Sequence, residues 1–199
     1  MGGQQVRIIA ASQFLIFSLT LMMTLVSKNG SAGSQSNLEF YDWVRHNVET
    51  NQYFNTNRLI WSDEIDVFLD RNITHHDPLY LGMTGENDAQ NFEYHLRSVL
   101  GGAPDDIDIT DQSTIFFSAC RSHSCDEKGF VWIDSARDRQ IFGIVSFFFN
   151  SDFFNREGYL VIHTDDYSSF EETPGSFKNR LNDWRKEKKL EPMSIVFLK

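Results

Sequence analysis

Thr114-Ile115-Phe116-Phe117-Ser118-Ala119-Cys120-Arg121-Ser122-His123-Ser124-Cys125 runs from a short apolar segment into a loop bounded by the two cysteines of this 199-residue chain. Phe130-Val131-Trp132-Ile133 follows, then a longer run from Gln140 to Phe149 and a shorter one from Tyr159 to His163. Such segments read as strands, because the pieces between them carry turn chemistry: Asp134-Ser135-Ala136-Arg137-Asp138 and Asn155-Arg156-Glu157-Gly158. Strands joined by short turns pair antiparallel, so this region predicts a meander.

Upstream, the period changes. Phe40, Val44 and Val48 recur every four residues and predict a first helix. Ser62 is placed to cap a second apolar pattern, Ile65, Phe68 and Leu69, with Asp63 and Glu64 at the positive helix end. Asn87-Asp88-Ala89-Gln90 reads as a capping box before Phe92, Leu96 and Val99, and Gly101-Gly102 stops that helix. Downstream, Thr173-Pro174 begins a helix with Pro174 at its first position and Phe177, Leu181 and Trp184 as its stripe, and Met193 to Leu198 forms a last strand. The expected fold is α+β: an antiparallel meander with helices packed on one face.

Residues 1–32 read as a signal peptide: Arg7, an apolar stretch through Val26, then small polar residues and a cleavage site after Ala32. The alternative is an uncleaved anchor, since Ile8 to Val26 is 19 residues, just enough to span a membrane. Either way the body is expected outside the cytoplasm, periplasmic or otherwise exported. Residues 33–37 then form a flexible linker, and 38–199 a single domain with an N-terminal helical extension. The chain carries 28 acidic and 18 basic residues, net −10, and two of the bases, Arg7 and Lys28, lie in the acid-free N-terminal stretch. So acidic a body repels nucleic acid and suits a basic partner. A homodimer stays an open alternative.

In an exported protein the two cysteines are expected to pair. A ring of six residues adds only about 2 kcal/mol of chain-entropy stabilisation, so it serves better to hold Arg121, Ser122, His123 and Ser124 in a fixed shape for a partner. His123 offers two ring nitrogens to carboxylates, and Arg121 adds a positive head. Three other readings stand beside this one. Cys120, His123 and Cys125 have zinc-type spacing, with His75-His76-Asp77 as the source of a fourth ligand. Cys120 is a nucleophile with His123 as its base. Or the bridge ties two strands in an envelope protein and His123 is idle. No cofactor is expected. His75-His76-Asp77-Pro78 by itself reads as a loop, and Asp105, Asp106, Asp108 and Asp111 as a solvated acidic loop without the EF-hand order.

Phe117-Ser118-Ala119-Cys120, the Cys-x-x-His-x-Cys loop, Lys128, Val131-Trp132, Gln140 and Gly143 resemble the inhibitor of vertebrate lysozyme (Ivy) family over roughly Ser118 to Phe148. The resemblance implies a periplasmic protein with a central antiparallel sheet, not an enzyme, that inserts a disulfide loop into the cleft of a basic cell-wall hydrolase such as c-type lysozyme or a lytic transglycosylase. It also implies a bridge Cys120–Cys125 and contact between His123 and the target's catalytic carboxylates. Arg121, Ser122 and Ser124 stand where the family often has Lys, Pro and Asp.

Overall fold

The computed structural model describes residues 32–81, 89–150, 154–190 and 192–198. Residues 1–31 of the expected signal peptide lie outside the described residues, as do Asn87 and Asp88 of the expected capping box, and Ala32 is the first residue of the first helix. Four helices come first: α1 (Ala32–Thr50), α2 (Thr56–Ile60), α3 (Asp63–Asn72) and α4 (Phe92–Leu100). Five strands follow: β1 (Asp108–Thr110), β2 (Thr114–Arg121), β3 (Ser124–Asp134), β4 (Arg139–Ser146) and β5 (Tyr159–His163). A 3-10 turn at Phe170–Glu172, then α5 (Gly175–Glu187) and β6 (Ser194–Phe197), complete the fold. Among the described residues no helix is long and apolar enough to cross a membrane.

The strands form one sheet in chain order, β1 to β6. The antiparallel meander holds through β5, and the fold is α+β as expected. β6 departs from it: it pairs parallel to β5, Leu160 against Ile195 and Ile162 against Phe197, with α5 as the crossover.

Helices cover both faces of the sheet, not one. On the first face Phe117, Val131, Ile133, Phe142, Ile144 and Val161 meet α1 to α4. On the second Phe116, Phe130, Trp132, Ile141, Val145, Leu160 and Ile162 meet Phe177, Leu181 and Trp184 of α5. The cause is in the strands themselves. Phe130, Val131, Trp132 and Ile133 are apolar at consecutive positions, and successive side chains point to opposite faces, so both need cover. Phe130 stacks on Phe116 at 5.5 Å and meets Trp184 edge-on at 5.2 Å. Each such fully buried side chain contributes about 2 kcal/mol of burial free energy.

Ser62 caps α3, accepting from the Ile65 amide at 3.3 Å. The cap of α4 is Asn91, which accepts from the Tyr94 amide at 2.8 Å. Pro174 is the N-cap of α5 and Gly175 its first residue, one place later than expected. The expected linker at 33–37 is the beginning of α1. Its small polar composition suits a free chain, but Asn37 is buried and tied elsewhere. Its amide donates to Asn72 Oδ1 (3.2 Å) and Asp138 Oδ1 (2.7 Å), fastening α1 to α3 and to the β3–β4 turn. At Gly129 an added Cβ would overlap a methyl group of Val99, so the glycine lets α4 lie against β3.

His163, buried at the end of β5, packs beside Phe142 and Phe92 and accepts the Thr74 amide on Nε2 at 3.2 Å. Burial pushes its pKa down, more than nearby Asp165 restores it. The unfolded imidazole titrates near 6.5 and so takes a proton before the folded one does. This group's contribution to stability is therefore complete above that value and is lost as pH falls through the depressed folded value. Urea midpoints between pH 8 and pH 5 are expected to fall less steeply for His163→Gln, which keeps an acceptor but does not titrate. Equal slopes for the two proteins would remove His163 from the account.

Candidate functional site

β2 and β3 meet in a tight hairpin. Arg121 pairs with Ser124, which leaves Ser122 and His123 as the two residues of the turn, both exposed. His123 has φ 66°, in the left-handed region that histidine tolerates better than most side chains. Its imidazole makes no hydrogen bond or ion pair among the described residues. Cys120 and Cys125 are joined, with their Cα atoms 4.7 Å apart, so the bridge closes the hairpin one residue below the Arg121–Ser124 pair.

The register then shifts. Cys120 pairs with Lys128, so Cys125, Asp126 and Glu127 bulge out of the ladder. The bulge turns Glu127 inward, where its Oε2 receives Arg121 Nη1 at 3.0 Å. These side chains are only 7% and 13% exposed. Arg121 therefore turns its guanidinium back toward Glu127 and the body of the protein. Ser122, His123 and Ser124 remain at the tip, with Ser124 half-buried.

The hairpin is braced from behind by the segment that leaves α4. The Cys120 amide donates to Ala103 (3.2 Å), the Asp105 amide donates to the Ser118 carbonyl (3.0 Å), and Pro104 bridges to Ala119. Gly102 touches the turn itself: an added Cβ would overlap the Cys120 carbonyl oxygen and the Ser122 nitrogen and lie 2.6 Å from the Arg121 carbonyl carbon. Below, Trp184 Nε1 donates to Ser118 Oγ (3.0 Å), Ser118 Oγ donates to Asp105 Oδ2 (2.5 Å), and Lys188 forms an ion pair with Asp105. This polar chain links α5, β2 and the brace. Asp105, read from sequence as part of a solvated loop, is a structural acceptor, and Asp108 is paired with Arg180 at 3.0 Å. Lys128 donates to the Cys125 carbonyl, and burial lowers its pKa.

Both sulfurs are consumed by the bridge, which removes the two thiolates that a zinc site or a cysteine nucleophile requires. His75 sits beside His163, ring centres 6.4 Å apart, towards the end of the sheet away from the hairpin, so the expected fourth ligand is not brought near. Among the described residues no group of three His, Cys, Asp or Glu side chains is arranged to hold a metal. Ser118 is no nucleophile in waiting, since it is buried with its hydroxyl already shared between Asp105 and Trp184.

No protein-family model, curated protein or solved structure matches this chain.

The residues that sequence reasoning missed are Gly102, Asp105 and Glu127. In sequence the glycine pair reads only as the end of α4. Nothing local distinguishes Asp105 or Glu127 from the many other acids, because each is defined by a partner on another element or across a bulge.

Proposed function

We propose that the chain is an exported inhibitor of a cell-wall hydrolase, a c-type lysozyme or a lytic transglycosylase, and that the hairpin enters the enzyme's carboxylate-lined cleft with His123 foremost. One observation carries the reading: an exposed, unengaged imidazole stands at the end of a two-residue turn that is closed by a disulfide and braced from behind. A side chain held this way loses little freedom on docking, and an imidazole bonds carboxylates through either nitrogen. The net charge of −10 supports a basic partner. Conversion of Arg121 into an internal ion pair leaves His123 as the polar anchor of the tip.

The test is inhibition by wild type and His123→Ala, side by side, on a panel of c-type lysozymes and lytic transglycosylases. Wild type is expected to inhibit at least one. His123→Ala, whose side chain is exposed, is expected to fold normally and to inhibit about tenfold or more weakly. A panel left fully active by wild type ends the proposal, and equal inhibition by both proteins ends the role of His123.

A further inference from the structure

We propose that the groove between α1 and α3 is a second docking site, one that takes a basic amphipathic helix of a partner protein. It shares no residue with the hairpin and does not depend on the role given to His123.

The groove has a volume of about 390 Å³, with Phe40, Trp43, Val67 and Phe68 as its apolar lining. Phe40 and Phe68 are buried and stacked on one another at 4.2 Å, so the floor is closely packed. Trp43 is half-buried, held edge-on against Phe54 at 5.4 Å. Val67 is 56% exposed in the middle of α3, among Asp63, Glu64, Asp66 and Asp70. Its exposed apolar surface is continuous with the lining formed by Phe40, Trp43 and Phe68, so the groove and Val67 make one apolar patch. It fits an element laid against it.

The rim identifies that element. Glu39, Asp63 and Glu64 border the groove, and Arg71 is its sole base. None of these three acids has an ion-pair partner among the described residues, whereas neighbouring Asp66 is taken up by Arg97 at 2.6 Å. Unpaired carboxylates around an apolar floor complement lysines or arginines flanking apolar anchors. A groove between two packed helices receives such anchors at helical spacing. The same charges argue against the other occupants. A second copy docking isologously would bring Glu39, Asp63 and Glu64 close to their own equivalents, like against like. An anionic lipid surface would meet the same repulsion.

The probe is a synthetic helical peptide of leucine and lysine with an amphipathic pattern, labelled and titrated with the full chain by fluorescence anisotropy at low salt. Saturable binding is expected. Val67→Lys should weaken it about tenfold or more, since it places a charge on the apolar lining facing the peptide's own lysines. The combined change Glu39→Gln, Asp63→Asn, Glu64→Gln should weaken it several-fold and flatten its salt dependence. All four positions are exposed, so folding is expected to persist, and a control at exposed Tyr53 (Tyr53→Ala) should bind as wild type. Any of three binding results would overturn the proposal: no saturable binding of the lysine peptide, unaltered affinity in Val67→Lys, or equal binding of a peptide with glutamate in place of lysine. A wild-type dimer in sedimentation velocity that Val67→Lys dissociates would overturn it too, in favour of a second copy.

Discussion

Gly102→Ala is expected to destabilise the protein by about 3 kcal/mol and to abolish any activity of the hairpin, although the substitution adds one methyl group far from His123 in sequence. The added carbon meets the Cys120 carbonyl oxygen, the Ser122 nitrogen and the Arg121 carbonyl carbon. These are backbone atoms of a disulfide-closed ring, not the far end of a flexible side chain, so the conflict has to be relieved by moving the hairpin or the segment behind it. Moving that segment breaks the Cys120–Ala103 and Asp105–Ser118 hydrogen bonds. It also pulls on Asn57, whose amide holds the Gly102 carbonyl at 2.9 Å. A urea titration gives the stability, and amide chemical shifts of Ser122 and His123 report the position of the turn. A change below about 0.5 kcal/mol with unmoved amides would mean that the hairpin stands free of its brace.

Glu127→Ala is the second large effect, at about 3 kcal/mol. The cost comes less from the lost attraction than from leaving the Arg121 guanidinium enclosed without its partner. The two side chains are 13% and 7% exposed. Replacing both members, Arg121→Met with Glu127→Leu, should recover most of the loss, because neither charge then has to be kept out of water. A loss below about 1 kcal/mol in the single variant would place the pair among ordinary solvated ion pairs. The pair also separates two meanings of an Arg121 variant. If Arg121 met a target directly, Arg121→Ala would weaken inhibition at unchanged stability, whereas the enclosed pair predicts a fall in stability first.

The apolar periods predicted most of the regular structure, and the reason is local. Phe40 and Val44 share one side of α1, and Phe177, Leu181 and Trp184 one side of α5, because spacing of three and four returns a side chain to the same face. Ser62 is legible as a cap because its hydroxyl bonds an amide only three residues on. Sequence and structure part where tertiary contacts choose between local signals. The expected capping box at Asn87 to Gln90 lies ahead of the observed cap, Asn91, because Gln90 is bonded to Leu79 and the helix begins only after it. The two-sided cover of the sheet was in fact legible. Uninterrupted apolar runs in β3 and β4 require it, and one-sided cover would have left Trp132 and Phe130 in water.

The residues alone determined the α+β composition, the meander from β2 to β5, the cysteine-bounded loop and the acidic surface, whereas β1 lies in what reads as a solvated acidic loop. All of these follow from period, turn chemistry, covalent proximity or charge, which act over a few residues or need only a count. Tertiary structure decided that β6 lies parallel to β5, that Asn37 makes a linker-like segment part of α1, that Gly102 braces the turn and that Arg121 turns inward to Glu127. Each of these depends on which distant groups come within a few ångströms of one another. That is set by the packing of the whole core, and the bulge at Cys125 to Glu127 shows how much hangs on it. Removed from the ladder, Glu127 draws Arg121 into the protein and leaves His123 alone at the tip.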